Sequence, residues 1–81
     1  MDIYVGNLPW SIDDEGLKNL FAEHGEVISA KVIRDRETNR SIGFGFVEMD
    51  DYSAAKAIEA LEGFELEGRP LKVNQSRGKD N

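Results

Sequence analysis

Residues 43–49 read Gly-Phe-Gly-Phe-Val-Glu-Met. An alternation with a period of two fits a β-strand, whose successive side chains point to opposite faces of a sheet. Phe44 and Phe46 then share one face, and Gly43, Gly45, Val47 and Met49 share the other. The aliphatic pair marks the second face as the buried one, and the glycines leave room there for a helix to approach closely. The first face turns two phenyl rings away from that core. A chain built around such a strand needs helices on one side of a sheet and a reason to display aromatic rings on the other.

The flanking segments supply the rest of such a sandwich. Ile3-Tyr4-Val5 is a short β-rich run, stopped by Gly6-Asn7-Leu8-Pro9. Asp13 reads as an N-cap, with Ile12 before it and Leu17 at the fourth helical position, the spacing of a hydrophobic staple. Leu17, Leu20 and Phe21 make a helical stripe, Asp14 and Glu15 suit the positive end of the helix dipole, and His24-Gly25 closes the helix. Val27 to Ile33 predicts a second strand and Arg34 to Ser41 a polar loop. Asp50, Asp51 and Ser53 are alternative caps for a second helix with the stripe Ala54, Ala57, Ile58, Leu61, ended by Gly63. Gly68-Arg69-Pro70 predicts a turn, and Leu71 to Gln75 the last strand. The order is βαββαβ, an α+β, ferredoxin-like sandwich with two helices on one face of a four-stranded antiparallel sheet. The domain is expected over residues 1–76, with 77–81 as a short flexible tail.

Length and composition narrow the function classes. Eighty-one residues hold one domain. With no cysteine, disulfides, thiolate metal sites and cysteine nucleophiles are excluded. No apolar run nears the ~18 residues of a spanning helix, and no charged-then-apolar start reads as a signal peptide. The net charge of −6 counts against a nucleic-acid partner when taken alone. It is unevenly spread. Residues 31–40 hold Lys31, Arg34, Arg36 and Arg40 against two acids, and residues 69–79 hold Arg69, Lys72, Arg77 and Lys79 against none. The remainder has Lys18 and Lys56 against fourteen acids.

Strand parity brings rings and cations together. Ile3 and Val5 face the helices, so Tyr4 joins Phe44 and Phe46 on the open face. Lys31 and Ile33 follow from the second strand, and Lys72 and Asn74 from the last. Exposed rings flanked by cations fit unpaired bases and their phosphates.

Ile3-Tyr4-Val5-Gly6-Asn7-Leu8 resembles the RNP2 motif of the RNA recognition motif (RRM) family. Gly43 to Met49 resembles most of RNP1, whose pattern is K/R-G-F/Y-G/A-F-V-x-F/Y. The resemblance runs from Met1 to about Ser76. It departs at Ile42, where the pattern has a basic residue that commonly meets a phosphate. Arg40, two residues earlier, is a partial substitute. It departs again at Met49, which replaces an aromatic on the core side. The compact one-domain form resembles small bacterial and cyanobacterial RRM proteins.

The resemblance implies a non-enzymatic module that binds single-stranded RNA, with single-stranded DNA as an open alternative, no cofactor, no membrane partner and a monomeric state. Tyr4 and Phe44 would each stack on a base, with Phe46 against bases or riboses between them. Lys31, Arg40 and Lys72 would neutralise phosphates, and Asn74, Gln75 and Ser76 would hydrogen-bond base edges. A bacterial protein of this kind would be cytoplasmic, and a eukaryotic one would also serve in the nucleus.

Simpler readings compete for individual residues. Trp10, Tyr52 and Phe64 suit packing at the domain edge and around the second helix. His24 has no histidine or cysteine partner for a metal. Asp13, Asp14, Glu15, Glu59 and Glu62 suit a solvated helical face. On the same fold, a metallochaperone needs a Cys-x-x-Cys loop, and a phosphate-binding enzyme needs an anion-cradling loop after the first strand. Pro9-Trp10-Ser11 offers neither. The remaining alternative is a protein-interaction RRM that docks a polypeptide on its sheet or acidic helices.

Overall fold

The computed structural model describes residues 1–38 and 41–76, Ser41 and Ile42 through their backbone only. In chain order the elements are β1 (Asp2–Gly6), α1 (Asp14–Ala22), β2 (Val27–Arg34), β3 (Ser41–Met49), α2 (Asp51–Leu61), β4 (Glu65–Leu66), β5 (Arg69–Pro70) and β6 (Lys72–Ser76). Strands β2-β3-β1-β6 form one antiparallel sheet in that spatial order. Both helices lie on one face of it, in the ferredoxin-like arrangement.

Local chemistry sets the element ends. The Asp13 carboxylate accepts from the Gly16 N–H at 2.8 Å, which satisfies one orphan donor of α1. Among the three alternatives for α2, Asp50 is the cap, accepting from the Ser53 N–H at 3.0 Å. The expected turn at Gly68-Arg69-Pro70 is instead a small hairpin. Glu67 and Gly68 take φ of 53° and 82°, the left-handed pair that a two-residue hairpin turn requires. Arg69 and Pro70 then pair with Leu66 and Glu65. The last strand accordingly starts at Lys72 and reaches Ser76.

Leu17 and Phe21 of α1 and Ala54, Ala57 and Leu61 of α2 bury against Ile3, Val5, Val32, Val47, Met49 and Val73 of the sheet. Each larger apolar side chain so buried contributes about 1.5–3 kcal/mol. The two glycines of β3 have different reasons. A Cβ at Gly45 would lie 2.6 Å from the Lys31 carbonyl oxygen and 3.1 Å from the Leu17 side chain, so β2 and α1 both press on it. Gly43 meets nothing within 4 Å but has φ of 98°, so glycine serves its backbone and not a helix contact.

Three aromatic residues expected to pack do not. Trp10 is 72% and Tyr52 73% exposed, and Phe64 is also exposed. The β1–α1 connection is anchored by buried Leu8, whose N–H donates to the Gly43 carbonyl at 2.9 Å, so Trp10 is left outside. Tyr52 lies off the buried stripe of α2 and has the Lys56 ammonium 5.2 Å from its ring centre.

Two of the supposedly solvated acids hold the sheet's outer strands. The Asp14 carboxylate accepts from the Val32 N–H of β2 at 2.7 Å. The Glu62 carboxylate accepts from the Val73 N–H of β6 at 2.6 Å. A donor on each strand that stands at an edge among the described residues is thus satisfied from a helix end.

Candidate nucleic-acid interface

The strand registers lay the open face out in transverse rows. In one row Lys31 of β2 opposes Phe46 of β3, Phe46 opposes Tyr4 of β1, and Tyr4 opposes Asn74 of β6. In the next, Phe44 opposes Gly6 and Gly6 opposes Lys72. On the other side of the aromatic row, Ser29 opposes Glu48, Glu48 opposes Asp2, and Asp2 opposes Ser76. Directly opposed residues share a face, so these rows form one continuous surface.

The three rings form a triangle. Tyr4 lies 5.8 Å from Phe44 with 33° between planes, and 5.9 Å from Phe46 at 63°. Phe44 and Phe46 are 5.9 Å apart and nearly perpendicular. Such tilted and edge contacts are favourable for aromatic quadrupoles. All three rings remain half-buried and open to the solvent side.

Tyr4 owes its pose to a residue that sequence reasoning treated only as a strand end. A Cβ on Gly6 would sit 2.6 Å from the Tyr4 hydroxyl oxygen and 2.9 Å from ring carbons Cε2 and Cζ. The ring therefore lies down over the bare backbone of Gly6.

The other candidate site residues divide. Lys31, Lys72, Asn74 and Ser76 stand on the open face by register. Gln75 opposes Ile3 and so belongs to the helix side of the sheet, away from the rings; parity within β6 separates it from its neighbours. Arg40, Arg77, Lys79, the 77–81 tail and the side chain of Ile42 lie outside the described residues. Asp2, Ser29 and Glu48 share the face although sequence reasoning did not select them. Period two within each strand carried that signal, but cross-strand register does not show in one chain segment. A shallow depression of about 400 Å³ is lined by Asp2, Ser29, Lys31, Phe46, Glu48 and Ser76 together with Val47. Among the described residues no cluster of histidine, cysteine or acidic residues is arranged to hold a metal ion. No helix among them is long and apolar enough to cross a membrane.

A two-helix, four-stranded sandwich with a triangle of rings on the sheet face opposite its helices defines a class of ligand-binding module. The profile described as RNA recognition motif matches residues 3–72. The chain belongs to the RNA recognition motif family. It is 58% identical over 73 residues to the RNA-binding protein CP31B, chloroplastic, of Arabidopsis thaliana, covering 89% of this chain and 25% of that protein. The chain thus spans about a quarter of that curated relative, which is a plant chloroplast protein and not a bacterial one. The crystal structure of RNA Binding Protein PG1 superposes with a TM-score of 0.93 at 49% identity, covering 100% of this chain and 99% of that one. The structure of the Rna15 RRM with bound RNA (GU) superposes with a TM-score of 0.86 at 34% identity, covering 99% and 86%.

Proposed function

We propose that the chain binds single-stranded RNA on the open face of its sheet and carries out no chemistry on it. The observation that carries this reading is the triangle of Tyr4, Phe44 and Phe46, held within 5.9 Å of one another on a sheet face that no element among the described residues covers. Rings so placed are stacking surfaces for unpaired bases, at ~1–3 kcal/mol each. Tyr4 and Phe44, the pair closest to parallel, take one base each, and Phe46 packs against the bases or riboses between them. Lys31 and Lys72 flank the rings on opposite edges and neutralise phosphates, with Arg40 as a further contact. Asn74 and Ser76 hydrogen-bond base edges. The position of Gln75 on the other side argues against a direct contact from it.

The competing use of the sheet or the acidic helices to dock a polypeptide is not favoured. The relatives and neighbours named above are RNA-binding proteins, and the aromatic face is intact. A monomer, a domain of residues 1–76 with a 77–81 tail, competition by single-stranded DNA, the lack of a membrane partner and a cytoplasmic setting belong to the same proposal. The chloroplast in the name of CP31B is a property of that protein.

The test is a titration of labelled single-stranded and duplex RNA at several salt concentrations. Two to five neutralised phosphates give a log–log salt slope of about −1.5 to −3.5 on single strands. Duplex RNA should bind far more weakly, because its bases are already stacked and paired. Equal binding of duplex and single strands would refute the ring platform.

A further inference from the structure

We propose that the depression beside Phe46 is a guanine-reading subsite in which the carboxylates of Asp2 and Glu48 accept the N–H donors of the base edge. This rests on the RNA-binding reading and adds which base the surface prefers. The first observation is the row itself. Asp2 and Glu48 are directly opposed across β1 and β3 on the open face. Like charges in that position destabilise a sheet. Neither carboxylate has a hydrogen bond or ion pair among the described residues. The pairing is held by backbone: the Met49 N–H donates to the Met1 carbonyl at 3.1 Å, and the Met1 amine donates to the Met49 carbonyl at 2.8 Å.

The second observation is the company these carboxylates keep. The depression of about 400 Å³ is lined by Asp2 and Glu48 together with Phe46, Lys31, Ser29 and Ser76. The acid row lies two residues along the strands from the row of Phe46 and Tyr4, a separation of about 7 Å. A base lying on that aromatic row would extend over part of that gap, toward the carboxylates on the same face.

Chemistry selects the base. An ionised carboxylate only accepts. Phosphate is repelled from this row, so the sugar–phosphate backbone is directed toward Lys31 and Lys72 while a base occupies the depression. Guanine presents two adjacent donors, N1–H and the N2 amino group, which match the two oxygens of one carboxylate. Adenine and cytosine offer one amino group each. Uracil offers a single N–H between two carbonyl oxygens, which the carboxylates disfavour.

The test uses the full chain and fluorescence anisotropy. Its probes are a labelled oligouridine octamer and the same octamer carrying one guanosine or one inosine. A bidentate base contact is worth about five- to a hundredfold in discrimination, so the guanosine octamer should bind tighter than oligouridine by a factor in that range. Inosine, which lacks the N2 amino group, should lose most of the gain. In the Asp2→Asn/Glu48→Gln double variant the guanosine preference should fall to within about twofold, while oligouridine binds at least as tightly as before. RNA binding with no guanosine preference would overturn the subsite and leave the RNA reading intact. Equal binding of inosine and guanosine would do the same without any variant, as would a preference that survives in the double variant. If no octamer binds, the RNA reading itself fails and the subsite with it.

Discussion

Gly6→Ala separates the pose of a stacking ring from the stability of the fold. Gly6 does not have a positive φ, so alanine fits the backbone without strain. The added methyl would sit 2.6–2.9 Å from the Tyr4 hydroxyl oxygen, Cε2 and Cζ, about 1 Å inside an ordinary 3.5–4.0 Å contact. The ring must lift or swing by that much. It then loses part of its contacts with Phe44 and Phe46, now at 5.8 and 5.9 Å, each worth ~0.5–1.5 kcal/mol. Exchanging glycine for alanine within a strand returns ~0.5–1 kcal/mol of backbone entropy, so the unfolding midpoint should barely move. RNA binding should suffer more. A base stacked on a displaced Tyr4 forfeits much of its ~1–3 kcal/mol, and a loss of ~1–2 kcal/mol is a five- to thirtyfold rise in Kd. Anisotropy titrations of a double-mutant cycle with Tyr4→Ala measure this directly. In the Tyr4→Ala background, Gly6→Ala should change Kd by no more than ~0.5 kcal/mol. Unchanged RNA binding by Gly6→Ala, or an equal loss in both backgrounds, would refute the reasoning.

Phe44→Ala should weaken single-stranded RNA binding by about ten- to a hundredfold while circular dichroism shows a folded domain, because the ring stands outside the core. Gly45→Ala should do the reverse of Gly6→Ala: its methyl would strike the Lys31 carbonyl oxygen at 2.6 Å, costing ~1–3 kcal/mol or more in urea unfolding. Hydrogen bonding from Ser53, first through its side chain and then through its backbone N–H, holds the Asp50 carboxyl below its ordinary value of 3.8. The folded state therefore prefers the ionised form, so this contribution is present above about pH 4 and is lost as pH falls through the lowered pKa. Asp50→Asn should flatten that part of an acid-unfolding curve, and an identical curve for the variant would rule the cap out as its source.

Side-chain periodicity made most of this molecule legible. The stripes at Leu17/Phe21 and Ala54/Ala57/Leu61 located both helices, and parity within β1 and β3 put Tyr4, Phe44 and Phe46 on one face. Asp13 was readable as a cap because its partner is only three residues away. What escaped depends on residues far apart in sequence or on elements too short to show a period. The β4–β5 hairpin has two residues per strand, too few for an alternation to register. Asp14 and Glu62 read as solvated because their partners, Val32 and Val73, are 18 and 11 residues away. The row containing Asp2, Glu48 and Ser76 needs the registers of three strands at once. Gln75 shows a simpler effect: the family resemblance takes the strand exit as a block, where period two splits it between faces.

The carboxylates of Asp14 and Glu62 also bear on how crowded copies of this protein avoid one another. An unpaired N–H on an outer strand is a template on which a second chain can lengthen the sheet, and repeated addition leads to filaments. Here a newcomer at Val32 or Val73 must first displace an anion already seated on the donor, at 2.7 and 2.6 Å. Self-recognition along the rims is thereby discouraged, while the broad surface perpendicular to it stays accessible. The fold can thus display three aromatic rings to a nucleic acid without making its own edges adhesive.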